Sequence, residues 1–533
     1  MTKTEQDADP RGGVLHRLLS LFTELRPREV HTVLLLTLNV FLLLTAYYFL
    51  KVVREPLILA GGGIELGGKR LELDGPEVKA YAAAGQALLL IGVVRAYGAL
   101  SRRFGRMQLS AALALFFASN LILFHVLGRL GVPLGVPFYL WVGCFSLTVI
   151  AQFWSFANDI YTPEQGKRLF AVVGVGSSVG AMAGAQIAKR IYIRFGPYNM
   201  MLAAAGVLML SLWITYIVHR WELEHRDGPV DRHDAPPGGS KGGFSMVARD
   251  RYLLLIAGLT LVLNWVNSTG EYILDRTLIE SATRTLAPLT APAPGAPAEG
   301  TDPFAPDALV YGVDLEASRI YDGKVAAVQP NGDVNVEADG QVATLSPKRT
   351  AFPRTDKGRK AALGAVIGTF KGDYFYWVNT LGVIIQLFVV SRLFKYFGVR
   401  VALFILPSIA LFGYSTLAFA PILEIVRVAK IAENSTDYSI QNTARQALFL
   451  PVSREAKYNA KAAIDTFVVR TGDVLSAVVV VLGQVLALST RSFAVVNLCL
   501  VIAWLLIVTA IASEHRRRTA DAAQPEQPAA KAA

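Results

Sequence analysis

Arg427, Lys430, Asn434, Asp437, Gln441 and Arg445 follow one another at intervals of three or four in an otherwise apolar stretch. At about 100° per helical residue the six share one arc of about 80°, with Glu433 at its edge. Ammonium and guanidinium groups on such a face can neutralise a phosphorylated or carboxylated solute, and a carboxylate among them can orient or gate. Three other apolar stretches repeat the design. Asn264, Asn267, Ser268, Glu271 and Asp275 lie on one helical face, as do Gln152, Ser155 and Asp159, and Tyr47 is followed by Lys51, Arg54 and Glu55. Two of the stripes have a plainer reading. That of 427–445 can be an ion-pair ladder sealing two helices, and that of 47–55 can snorkel to an interface.

The elements that carry these residues must cross lipid. Of 533 residues, 53% are hydrophobic and 17% charged, too little polar surface to wrap a soluble core of this size. Twelve apolar spans are long enough to cross a bilayer: 30–50, 78–98, 108–128, 137–157, 169–192, 197–219, 252–274, 374–396, 399–419, 422–449, 464–488 and 493–513. The four polar stripes fall on spans 1, 4, 7 and 10. Lysines and arginines concentrate in alternate short loops, including Arg102, Arg103, Lys167, Arg168, Lys395, Arg454 and Lys457. The net charge of +11 is therefore first a topology signal, and both termini are placed on the cytoplasmic side. Lys189, Arg190 and Arg194 run against that pattern.

The fold expected is an all-α membrane protein of twelve transmembrane helices in two six-helix halves. A cytoplasmic segment 1–29 precedes the first half, 30–219; a charged linker, 220–251, leads to helix 7 at 252–281. Segment 282–373 reads as a non-cytoplasmic insertion, Pro-rich and then β-rich around Pro330-Asn331-Gly332-Asp333 and Asp339-Gly340. The rest of the second half, 374–515, ends in a disordered tail, 516–533. The basic turns after spans 2 and 8, Ser101-Arg102-Arg103-Phe104-Gly105-Arg106 and 391–400, echo each other. Gly174, Gly176, Gly180 and Gly184 read as a helix-packing stripe, not a dinucleotide loop, because no strand precedes them. His125 reads as structural. No phosphate-binding loop and no metal-ligand spacing occur, so a carrier without cofactor is expected rather than an enzyme or pump, with no nucleic-acid partner.

Phe153-Trp154-Ser155-Phe156-Ala157-Asn158-Asp159, with Gly166-Lys167-Arg168-Leu169-Phe170, resembles the nucleotide (ATP/ADP) antiporter family of plastids and bacteria, as does Lys457-Tyr458-Asn459-Ala460-Lys461-Ala462-Ala463-Ile464-Asp465. The resemblance implies a major-facilitator-like fold in a bacterial cytoplasmic (inner) membrane, exchanging ATP and ADP without hydrolysis. It implies that Lys51, Arg54 and Glu55 take the place of the family's basic pair and acid in span 1, and Glu271 that of its acid in span 7. Two positions depart: the family's span-10 lysine falls on Asp437, and its span-4 glutamate falls near Val142 or Gly143.

On this reading Lys51, Arg54, Arg427, Lys430, Asn434 and Arg445 bind an anionic substrate, and Glu55, Asp159, Glu271, Asp275 and Asp437 gate or couple. Two alternatives stay open. One is proton-coupled transport of another small molecule, with Glu271 and Asp437 titrating. The other is a membrane scaffold that kept a transporter fold.

Overall fold

Runs rich in Leu, Val, Ala and Phe, punctuated by Gly and Pro, fold here into long helices joined by short turns. The computed structural model describes residues 27–61, 64–66, 69–71, 74–161, 163–225, 240–290, 309–314, 319–330, 333–338, 340–345, 350–351, 356–452, 460–461 and 463–523. Among them, nine helical runs are long and apolar enough to cross a membrane. The helices in chain order are α1 (Pro27–Leu59), α2 (Gly75–Arg103), α3 (Arg106–Arg129), α4 (Gly135–Ile160), α5 (163–195), α6 (197–225) and α7 (Arg251–Thr290). Then come α8 (356–397), α9 (399–419), α10 (423–447), α11 (464–485) and α12 (Thr490–Ala523). The breaks between α5 and α6 and between α8 and α9 fall at Gly196 (φ 76°) and Gly398 (φ 74°), a left-handed conformation that side chains resist.

The described residues group into two compact units. The first comprises those of Met1–Arg54, Gly92–Leu134 and Trp141–Pro229. In it Gly176, Gly180 and Gly184 lie against Thr37, Phe41 and Thr45 of α1, so close that a Cβ at any of them would overlap its neighbour. Three of the stripe's four glycines therefore bring α5 against α1, while Gly174 has no such neighbour. Buried Asn39 links α1 to α6, donating to Thr215 (2.7 Å) and accepting from Ser211 (2.5 Å). His125 Nδ1 lies 3.1 Å from the Tyr198 carbonyl oxygen, a contact between α3 and α6.

The second unit comprises those of Glu55–Ile91, Gly135–Leu140 and Val230–Ala533. It holds the end of α1, the start of α2 and all of α7–α12, and it carries two small antiparallel sheets. One is the hairpin β1 (Ile64–Leu66) and β2 (Lys69–Leu71). The other lies between α7 and α8: β3 (Leu309–Asp314), β4 (Arg319–Val328), β5 (Val334–Ala338), β6 (Gln341–Leu345) and β7 (Thr350–Ala351), in the order β6-β5-β4-β3-β7. Its own core is Val325, Val334, Val336 and Leu345, the inward positions of alternating strands.

Several boundaries differ from the sequence reading. Helix α7 runs on to Thr290 and α8 begins at Asp356, so the segment between them is shorter than 282–373. The extra turns of α8 hold Lys357, Arg359, Lys360 and Lys371, whose charges conceal a helix from a hydropathy count. Helix α12 likewise continues to Ala523, so 516–523 is not a disordered tail. Within the linker a short helix spans Ser240–Arg249. Most of the N-terminal segment, the middle of the linker, the Pro-rich stretch and 524–533 lie outside the described residues, as do residues 457–459 and 462 of the Lys457–Asp465 motif.

The start of α7 is fixed by Asp250, which accepts from the backbone N–H of Tyr252 (2.8 Å) and from Arg518 of α12 (2.7 Å). Burial raises its pKa, but the Arg518 guanidinium and these backbone donors outweigh burial and leave it below the ordinary 3.8. A carboxylate so depressed contributes stability that is full above its unfolded value and lost as pH falls through its folded one. Asp250→Asn is therefore expected to flatten the fall in Tm between about pH 4 and pH 2, and an acid limb as steep as that of the parent would exclude the role.

Candidate functional site

Seven charged side chains form an alternating series through the second unit. Lys79 of α2 lies 2.5 Å from Glu55 of α1 and 2.6 Å from Asp275 of α7. Lys371 of α8 reaches the other oxygen of Asp275 at 2.5 Å, Glu55 at 3.7 Å and Glu271, one turn earlier on α7, at 3.6 Å. Lys371 Nζ and Asp275 Oδ1 are poorly aligned for a hydrogen bond, so their attraction is chiefly Coulombic. On α10, Lys430 pairs with Glu433 at 3.1 Å and donates to Asn267 of α7 at 2.9 Å. Glu55, Asp275, Lys371 and Lys430 are all 1% exposed or less.

Neutral side chains complete the series. Glu271 accepts from the Tyr374 hydroxyl and from Asn434, each at 2.9 Å, and Asn434 also donates to Tyr374 at 2.6 Å. The Tyr414 hydroxyl of α9 donates to Glu433 at 3.0 Å. At Gly270 a Cβ would collide with Tyr414 and crowd the Lys430 ammonium, so a glycine there lets α7, α9 and α10 converge. A lone ion in such a setting costs several kcal/mol; shared between opposite charges and dipoles, it is tolerated.

Of the residues singled out in the sequence, the structure thus brings together Glu55, Glu271, Asp275, Lys430 and Asn434. The others lie elsewhere. Lys51 sits over the Tyr48 ring at 5.2 Å and is half-buried, like Arg54. Arg427 stacks over Phe370 at 5.3 Å, and Arg445 and Asp437 are half-buried on α10. The stripe on α10 is not the regular arc its spacing implies, because residues Asp437–Gln441 form a π turn. That turn wedges one extra residue into the helix and rotates Gln441 and Arg445 by about 100° from their regular places. A second π turn, Ile385–Val390, packs against it from α8.

On α7, Asn264 donates to its own helix at Thr260, while Ser268 donates to Asp473 of α11 at 2.7 Å. On α4, in the first unit, Gln152 is buried and bonded to Tyr97 and Ser110, whereas Ser155 and Asp159 are exposed, so the face they share by spacing spans two environments. Sequence reasoning missed Lys79 and Lys371. Each has an opposite charge two residues away, Glu77 or Asp373, and stands at or just outside the edge of an expected apolar span. The one signal available was the apolar company each keeps, Val78 and Ala82 or Phe370 and Tyr374.

Residues 369–515, from α8 to α12, match the family model described as TLC ATP/ADP transporter. A stretch of 167 residues is 24% identical to ADP,ATP carrier protein 1 of Chlamydia pneumoniae, covering 26% of this chain and 32% of that protein. The chain therefore matches about a third of the curated relative's length. Solved structures share the fold over nearly the whole chain. Nucleoside transporter NupG superposes with a TM-score of 0.53 at 9% identity, covering 90% of this chain and 98% of its own. A POT family transporter in complex with 5-aminolevulinic acid gives 0.54 at 10%, over 90% and 96%. A bacterial homologue of the iron transporter ferroportin, in an inward-facing state, gives 0.53 at 11%, over 91% and 99%. The chain is an integral, multi-pass membrane protein with a transporter fold, and its residues 369–515 are similar in sequence to ATP/ADP transporters.

Lys430 and Glu433 compensate each other inside the second unit. Lys430→Met is expected to cost about 3 kcal/mol by leaving Glu433 an unmatched buried charge, and Lys430→Met with Glu433→Gln is expected to recover most of it. Thermal unfolding of the two variants checks this, and equal losses in both would contradict it.

Proposed function

We propose that the chain is a secondary transporter that exchanges adenine nucleotides, or closely related phosphorylated anions, across a bacterial inner membrane by alternating access. The observation that carries this reading is the match of 369–515 to the ATP/ADP transporter model, because that segment supplies Lys371, Lys430, Glu433 and Asn434 to the buried charge series. The nine apolar runs support twelve spans once the run across Gly398 is counted as two helices, and α5 and the polar α10 are added. We place both termini in the cytoplasm, the sheet between α7 and α8 outside it, and the two six-helix halves at 30–219 and 252–515.

Polyphosphate recognition falls to Lys51, Arg54, Arg427, Lys430, Asn434 and Arg445, with Glu55, Asp159, Glu271, Asp275 and Asp437 as gating or coupling groups. Lys430 is held by Glu433 and Asn267 in this conformation, so a phosphate must take it from them. Partner exchange of that kind ties substrate binding to a rearrangement of α7 against α10. The half-buried Arg427, stacked on Phe370, offers a guanidinium and an aromatic ring side by side for a phosphate and a base.

One observation favours the proton-coupled alternative. The buried series holds four carboxylates, Glu55, Asp275, Glu271 and Glu433, against three lysines, Lys79, Lys371 and Lys430. An odd buried negative charge is a natural place for a proton. Counterflow separates the readings. In proteoliposomes, ADP preloaded inside is expected to accelerate uptake of labelled ATP, with no uptake driven by a pH gradient into empty vesicles. Uptake that follows the pH gradient and ignores internal ADP would overturn exchange.

A further inference from the structure

Four of these charges, three buried and Lys79 partly so, close into a ring that repeats across the two halves of the sequence. Glu55 on α1 and Asp275 on α7 are its carboxylates; Lys79 on α2 and Lys371 on α8 are its cations. Within the half to which each lysine belongs, it meets the carboxylate at 2.5 Å: Lys79 with Glu55, and Lys371 with Asp275. Between halves the distances are 2.6 Å for Lys79 with Asp275 and 3.7 Å for Lys371 with Glu55.

The surroundings repeat as well. Ile58 and Leu59 follow Glu55 at the same spacing as Leu278 and Ile279 follow Asp275, and Val78 precedes Lys79 as Phe370 precedes Lys371. All six pack, with Ala82, Ile367 and Tyr139, into one apolar cluster beside the ring. The helix directions put this cluster towards the C-terminal ends of α1 and α7 and the N-terminal ends of α2 and α8, which is one end of all four.

We propose that this ring and its apolar cluster form a gate, with Lys79 and Lys371 as positioning residues that clasp one half to the other. Closed, each lysine bridges both carboxylates. Open, each keeps the carboxylate of its own half, so the halves part as two neutral ion pairs and neither carries an unmatched charge into the opened state. A buried ion network is a poor source of stability but a good switch, because its partners can be redistributed without changing their number. The inference rests on the alternating-access reading, with the gate on the side of the membrane opposite the termini.

The test measures thiol accessibility, which needs no knowledge of the substrate. In a chain with Cys144→Ser and Cys499→Ser, the probe is Ala82→Cys, which replaces a buried alanine of the apolar cluster. Labelling in intact cells uses a membrane-impermeant maleimide. With the native ring, labelling is expected to be slow. Asp275→Lys with Lys371→Asp keeps each half neutral but sets lysine against Lys79 and aspartate against Glu55, and labelling is expected to rise about ten-fold or more. Adding Glu55→Lys and Lys79→Glu restores the attraction between halves and should return labelling to the slow rate.

A double variant that labels as slowly as the native ring, or a quadruple variant that labels as fast as the double, overturns the gate. If the double variant fails to accumulate, Asp275→Asn with Lys371→Met removes both contacts between halves without repulsion. It is expected to raise labelling several-fold, and no rise overturns the proposal. ADP/ATP counterflow on the native chain is scored separately, so a wrong substrate and a wrong gate give different results.

Discussion

A charge placed among apolar helices must carry its compensation with it, and this constraint organises the larger unit of the chain. Lys79 and Lys371 each contact at least two carboxylates, and those carboxylates stand on α1 and α7. Four helices are thereby joined by contacts in which each lysine meets carboxylates on both α1 and α7. Aliphatic packing at Ile58, Leu278 and Ile367 fills the space beside them, but aliphatic contacts alone would not fix which helix faces which. The neutral donors Tyr374, Tyr414 and Asn434 extend the same logic towards α9 and α10.

The same compensation shapes what the site can do. A polyanion needs several cations at short range, yet the buried lysines are already matched by carboxylates. Binding must therefore redistribute partners, and redistribution moves the helices that carry them. The two π turns at 385–390 and 437–441 lie where α8 meets α10, the second beginning three residues after Asn434. A wider turn leaves backbone groups off the regular ladder, which gives these helices a place to change register at modest cost.

Much of this was legible in the sequence, and what was not has identifiable causes. Charge at 3–4 spacing marked α7 and α10, and the glycines at 196 and 398 fell between apolar spans because only glycine adopts their backbone angles readily. The small-residue stripe of α5 likewise showed its packing role, since a missing Cβ is itself the message. Lys79 and Lys371 were missed because a lysine at the edge of an expected apolar span is ordinary, and only the fold shows that each meets at least two acids. The start of α8 was missed for a related reason: hydropathy penalises charges such as Lys357, Arg359 and Lys360 even where the backbone is helical. The arc on α10 was read with regular helix geometry, which cannot foresee a π turn at Asp437.

The account holds together only if the helix ends joined by the ring separate during the working cycle. Spin labels on cysteines placed at positions 60 and 281, at the end of α1 and in the last turns of α7, report that separation by double electron–electron resonance in lipid nanodiscs. The chain used carries Cys144→Ser, Cys499→Ser and the native ring. Two distance populations are predicted, with their ratio changed by saturating ADP or ATP. A single distance, identical with and without nucleotide, would contradict the account.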